Sequence, residues 1–285
     1  MRYKAIIAAL TVGLAAAAVC TDYFITNEKF SERIAENDRY TLLGADPHAL
    51  YGGFTVEELG ENYDKPSALL GKVSVDVPLI DQYPELPVGC EPSCAAAVLQ
   101  MLGFETDKLD FTDNYLGWDD NFYYDKHKQS HGPDPRKVFA GNPYKWGYGC
   151  TSEVLAESMN RFFDEKAPSA VEYRAMALEE DLNSADIEKL LDEGVPIIVW
   201  ATIDMKPLNY RKPSEWYIDG TAEKYTWYGN SHTLVLCGYD TNCYYFMDPN
   251  EKKDITAYMK TSFLNRFEDN GFQAVVVKIT KFYAQ

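Results

Sequence analysis

Positive charge is scarce in this sequence and nowhere concentrated: 27 Lys and Arg stand against 44 Asp and Glu, for a formal net charge of −17. No Lys/Arg block interrupts the acidic background. The electrostatic term that dominates nucleic-acid binding would therefore be repulsive, and no nucleic-acid partner is expected. Low-complexity tracts are missing, and so is any repeat with a solenoid period. Histidines number only 4. His127 and His131, in "HKQSH", have helical metal-ligand spacing but lack the Glu of a zinc peptidase and lie in a Gly/Pro-rich stretch. A solvated loop is the expectation there, with no metal and no other cofactor. "DNYLGWDDNFYYD" carries carboxylates without calcium-loop spacing and is read the same way.

What is present is a chain of 285 residues, 46% hydrophobic, enough for one large domain or two small ones. Arg2 and Lys4 precede "AIIAALTVGLAAAAVC", and no charge follows until Asp22. A basic n-region before an apolar h-region marks residues 1–25 as a signal peptide or an N-terminal membrane anchor. Ala16, Ala17 and Ala18 offer a cleavage site, while residues 5–21 are just long enough for a short membrane helix. The remainder is expected outside the cytoplasm, secreted or at the cell surface, touching membrane only through that segment. Cys20 fits a lipoprotein site poorly, with Val19 and Ala17 in the wrong places. The other cysteines are Cys90, Cys94, Cys150, Cys237 and Cys243. Such an odd set in an oxidising compartment suggests one free thiol or an intermolecular pair.

Residues 26–74 are polar and acidic with weak periodicity, and read as a juxtamembrane spacer ahead of a domain over 75–285. Order is expected from "KVSVDVPLI", an alternating stretch predicted as a strand. "GYGCTSEVLAESMNRFF" has helical spacing, with Thr151 or Ser152 as N-cap and Leu155, Met159 and Phe162 or Phe163 on one face. "SADIEKLLDEG" is a second helix, capped by Ser184 and ended by Gly194, feeding the buried strand "VPIIVWAT". "HTLVLCGYD" and "CYYFM" form a hairpin; "AYMKTSFLNRFEDNG" is a last helix and "FQAVVVKI" a last strand. An early helical half followed by a strand-rich half is an α+β arrangement.

The chemistry centres on "ELPVGCEPSCAAAVLQMLGF", residues 85–104, where Cys90 stands at the mouth of an apolar helix and Pro92 suits its first turn. Dipole and free N–H groups there favour a thiolate, so a lowered Cys90 pKa is expected, and the same N–H groups can meet a developing oxyanion. In the hairpin, a three-residue loop of Asp240, Thr241 and Asn242 pairs Tyr239 with Cys243 and carries down to Leu234 opposite Asp248. His232, Leu234 and Asp248 then share a face, with His232 diagonal to Asp248, as a carboxylate-oriented general base requires. Gln82, eight residues before Cys90, could aim its amide at the oxygen served by the Cys90 N–H. Trp200, Trp216, Trp227 and Tyr228 are read as core or rim packing or as cleft lining, which the sequence does not separate.

With those residues in view, "VPLIDQYPELPVGCEPSCAAAVLQMLGF" resembles the nucleophile segment of the bacterial C-thirty-nine-like cysteine peptidases. These are papain-fold relatives of the enzymes that remove double-glycine leaders from bacteriocins. The resemblance continues in order through "GPDPRKVFAGNPYKWGYGCTSEVLAESMNRFF", "GVPIIVWATIDM", "HTLVLCGYD", "YYFMDP" and "FLNRFEDNGFQAVVV", over roughly residues 75–280. It implies a papain-like α+β fold, a nucleophile helix packed on an antiparallel sheet. It also implies roles: Cys90 as nucleophile, His232 as base, Asp248 as its orienter and Gln82 as oxyanion donor. Cys94 departs from the pattern, standing one turn past Cys90 where a small or hydroxyl residue is usual. No transporter or nucleotide-binding segment is seen, so leader processing coupled to export is not implied. The expected activity is an exported thiol peptidase acting on peptide or protein, cell-envelope peptide included. Two alternatives remain open: an acyl transferase using the same thiol, and a catalytically silent surface-binding module. The second would be favoured by Cys90 locked in a disulfide with Cys150 or, against helix strain, Cys94.

Overall fold

The computed structural model describes residues 67–69, 72–168, 171–178, 182–208, 212–252 and 255–282. The signal or anchor segment, 1–25, and most of the spacer lie outside these residues. A short hairpin, β1 (Ser67–Leu69) and β2 (Lys72–Ser74), opens the described chain. It joins the main sheet, because Ser74 and Val73 pair with Gly238 and Tyr239. The ordered domain thus reaches back past the expected boundary at residue 75. The strand predicted over "KVSVDVPLI" stops at Ser74.

Helix α1 (Cys90–Met101) is buried on nearly every side, from Glu91 to Leu99. Its run of Ala95, Ala96 and Ala97 explains this, since small side chains let a central helix lie close to its neighbours all round. Leu99 is fully buried within the continuous core. Leu99→Ala should cost about 2–5 kcal/mol of stability, read as a lower urea midpoint. Helix α2 (Lys108–Asn114) follows, capped by the Asp107 carboxylate, which accepts from the N–H groups of Leu109 and Asp110.

The stretch read from sequence as a loop carries three short strands, β3 (Trp118–Asp119), β4 (Tyr123–Tyr124) and β5 (Ser130–Gly132), and two more follow it, β6 (Phe139–Asn142) and β7 (Trp146–Gly149). Strands of two to four residues have too little alternation to show in sequence. Helix α3 (Ser152–Lys166) buries Leu155, Met159, Phe162 and Phe163 as the spacing predicts, with Thr151 at the N-cap. β8 (Val171–Leu178) comes next. Helix α4 (Ser184–Asp192) begins one residue earlier than expected: Asn183, not Ser184, is the cap, in a reciprocal capping box with Asp186. Gly194, at positive φ, ends the turn.

β9 (Ile197–Thr202) is buried throughout; β10 (Ser214–Ile218) and β11 (Lys224–Trp227) follow. β12 (Ser231–Tyr239), β13 (Cys243–Met247), β14 (Thr256–Met259), α5 (Lys260–Asp269) and β15 (Ala274–Phe282) complete the chain. The principal sheet has eight strands, with β1-β2-β12-β9-β15-β8 as its path and β13 and β14 continuing from β12. All of its pairings are antiparallel. α1 packs on β12 and α3 on β8 and β15, and the two helices touch. This is a papain-like α+β fold.

Candidate active site

The hairpin that carries His232 reaches its expected register by an unexpected route. Tyr239 pairs with Tyr244, not Cys243, so the loop is one residue longer than expected. A β-bulge between Leu236 and Gly238 absorbs the extra residue, and Val235 pairs with Met247. One more step puts Leu234 opposite Asp248, and the diagonal follows. His232 Nε2 lies 2.7 Å from Asp248 Oδ1, both residues being buried. Asp248 Oδ1 also accepts from the Asn250 N–H at 2.9 Å, and Oδ2 from the Tyr258 hydroxyl at 3.5 Å. Burial works against ionisation of Asp248, but His232, Asn250 and Tyr258 together hold its carboxyl below the usual range. A carboxyl depressed by folding adds stability above its unfolded pKa, and that contribution is lost as pH falls through the lower folded value. With Nε2 committed to the carboxylate, Nδ1 is the nitrogen left for proton exchange.

The nucleophile helix meets the same strand. Cys94, one turn beyond Cys90, sends its thiol to the Thr233 carbonyl at 3.4 Å. Cys94 is therefore a buried packing group and not a second thiol open to substrate. Gln82 is tied to the other side of Asp248: its backbone N–H donates to the Pro249 carbonyl at 2.9 Å. The Gln82 side-chain amide donates to the Pro87 carbonyl at 3.1 Å, while its oxygen is buried without a partner. An amide carries two N–H bonds, so one is still to be used. The turn from Gln82 to the helix closes tightly, with Leu86 N–H donating to Gln82 and Gly89 N–H to Leu86. A Cβ at Gly89 would sit 2.4 Å from that of Leu86.

Two features of Cys90 depart from expectation. Its thiol is pushed well up, first by burial and next by the adjacent Glu91 carboxylate, with Thr233 pulling partly back. The helix mouth alone suggests the opposite direction. Moreover, the Cys90 thiol donates to Glu91 Oε2 at 3.2 Å; among the described residues it makes no hydrogen bond to His232. The structure thus joins His232 to Asp248 and Cys90 to Glu91, with Gln82 anchored beside Asp248.

Glu91 is the functional candidate that sequence reading missed. It is 1% exposed, and its other oxygen, Oε1, accepts from the Cys150 backbone N–H at 3.1 Å. The one signal available was a carboxylate in the first turn of a helix that carries no other charge and is buried on nearly every side. Gly149 makes room for it: at φ +146, an added Cβ would lie 2.2 Å from Glu91 Oε1 and 2.8 Å from the Trp227 ring. Trp227 therefore borders the site. Trp200 and Trp216 are buried, their indole N–H groups donating to the carbonyls of Cys150 and Pro133 at 3.0 and 2.9 Å. His131 stacks on Tyr123 at 5.2 Å between ring centroids, and belongs to no group of three or more metal-ligating side chains among the described residues. Cys90, Cys94, Cys150, Cys237 and Cys243 are all free thiols, so Cys90 is not held in a disulfide.

A helix that opens on a cysteine and packs on an antiparallel sheet, next to a strand bearing a carboxylate-bonded histidine, defines a papain-like thiol-hydrolase scaffold. The chain belongs to the Peptidase_C39 like family, whose model matches residues 74–275. It is similar in structure to a Bacillus anthracis protein described as a C39-like peptidase. The TM-score is 0.60 at 23% identity, over 74% of this chain and 98% of that one. The peptidase domain of Streptococcus ComA, a bi-functional ABC transporter involved in a quorum-sensing pathway, aligns with a TM-score of 0.40. That pair shares 14% identity, over 72% of this chain and 99% of the other. No curated protein sequence matches the chain.

Proposed function

We propose that the protein is an exported cysteine peptidase that cleaves peptide or amide bonds through Cys90, His232, Asp248 and Gln82. The observation that carries this reading is buried His232, on the strand β12 against which the Cys90 helix packs, held 2.7 Å from buried Asp248 just beyond β13. Membership of a peptidase family supports the reaction class.

In the proposed cycle His232 Nδ1 takes the Cys90 proton and the sulfur attacks the substrate carbonyl carbon. Negative charge collects on the carbonyl oxygen, where the free Gln82 N–H and the Cys90 backbone N–H meet it. His232 returns the proton to the departing amine, and water, deprotonated by the same imidazole, releases the acyl group. Asp248 stays ionised and stabilises the imidazolium. Substrates belong to the peptide or protein class, with cell-envelope peptides the natural targets of a protein held outside the cytoplasm by its N-terminal segment. No metal or cofactor takes part.

The test uses the full chain and a mixed-sequence peptide library, with new termini identified by mass spectrometry. Defined cleavages are expected, and Cys90→Ala should abolish them. Cleavage that survives Cys90→Ala, or no cleavage by the wild-type protein, contradicts the proposal.

A further inference from the structure

Glu91 occupies a position that the mechanism above does not use. Its carboxylate is sealed from solvent and spans two elements, one oxygen holding the Cys90 thiol and the other the Cys150 backbone N–H. The backbone makes way for it at Gly149, where any side chain would collide with Oε1. Several groups face it: Cys90 and its own backbone N–H on α1, Cys150 ahead of α3, and His232 on β12. Cys94 lies within electrostatic reach of both Cys90 and Glu91, and Asp248 reaches Cys94. Burial raises the Glu91 carboxyl, and the Cys90 thiol, the Cys150 N–H and His232 oppose that rise.

A thiolate cannot rest where the Cys90 thiol now sits while Glu91 is ionised. Sulfur and Glu91 Oε2 are 3.2 Å apart, and two like charges at that separation in a buried site repel strongly. One proton shared between the two stays on sulfur, the stronger base, so the hydrogen bond is that of a neutral thiol donating to a carboxylate.

We propose that Glu91 is a positioning residue that parks the Cys90 thiol, protonated and unpaired with His232, in the resting protein. It also fixes the Gly149–Cys150 wall beside the nucleophile. Attack requires the side chain to turn off Glu91. The S–H bond then breaks, an N–H bond forms at His232 Nδ1, and the sulfur electron pair is free for the carbonyl carbon. The site is thus a thiol at rest and an ion pair only in use. This rests on Cys90 being the nucleophile of the proposed function.

Iodoacetamide alkylation of Cys90 in the full chain, followed by mass spectrometry from pH 5 to 9, reads the thiol without any peptide substrate. Glu91→Gln keeps the shape and can still accept from the Cys150 N–H. It should alkylate about tenfold faster at pH 6, with its midpoint moved to lower pH, because a like charge beside the thiolate is gone. His232→Ala added to Glu91→Gln should remove that gain. A midpoint unchanged or raised in Glu91→Gln overturns the proposal. Should that variant fail to fold, the infrared difference between wild type and Cys90→Ala at pH 6 decides. A hydrogen-bonded S–H stretch is expected from Cys90, and its absence, the mark of a resting thiolate, overturns the proposal. Failure of the peptidase reading would show separately, as absent peptide cleavage with the alkylation shift intact.

Discussion

Replacing His232 with alanine is expected to slow acylation of Cys90 by about 10²–10⁴-fold, the usual worth of a positioned general base. The imidazole is held by Asp248 at 2.7 Å in a buried setting, so the ring cannot turn and only Nδ1 is offered to the thiol. Nothing else in the described site can take that proton and then leave. Glu91 is hydrogen-bonded to the thiol, but a carboxylate, with an ordinary pKa of about 4 against about 8.5 for a thiol, is too weak a base to draw the proton off. In the proposed mechanism Asp248 acts through His232 alone. Asp248→Asn should therefore slow the wild-type reaction yet have almost no effect once His232 is gone, a strongly non-additive cycle. Single-turnover acylation rates of the two single variants and the double variant measure this. Independent, additive losses would mean that the two residues do not work as a pair.

The second large effect is expected at Gln82. Gln82→Ala should lower kcat by about 10²–10³-fold with little change in KM, as when one oxyanion donor is removed. The loop that holds Gln82 has its own anchors: the Gln82 N–H on the Pro249 carbonyl and the Leu86 N–H on the Gln82 carbonyl survive the substitution. Only the side-chain bond to the Pro87 carbonyl goes. A role confined to the loop would appear as a lower melting temperature with kcat preserved. A role at the oxyanion appears in kcat.

The features that were legible in the sequence are local or periodic. The apolar, alanine-rich run after Cys90 could only be a buried helix, and "VPIIVWAT" could only be a buried strand. The His232–Asp248 diagonal was also legible, although two local errors cancelled in reaching it. The loop is one residue longer than expected, and the bulge at Cys237 restores the pairing. A burial pattern strong enough to fix which face turns inward tolerates that kind of slip. The small strands between Trp118 and Gly149 were not legible, because each is too short to show alternation, and one of them, β5, finds a further partner in β10, some 85 residues on. Glu91 escaped for a related reason. A carboxylate beside a helix start reads as a solvated dipole partner, and only the tertiary approach of Gly149 and Cys150 encloses it. The same enclosure reversed the expected direction of the Cys90 pKa, since burial and a neighbouring charge outweigh the helix mouth.

The central claim is that Cys90 carries the acyl group during turnover. Its most direct test is acid quenching of the full chain in mid-reaction with the peptide library, followed by digestion and mass measurement of the peptide containing Cys90. The account predicts a thioester on Cys90 whose added mass matches the acyl half of a cleaved peptide, formed more slowly in His232→Ala. Cleavage that proceeds with Cys90 unmodified, or with the acyl group on Cys94 or Cys150, would contradict it.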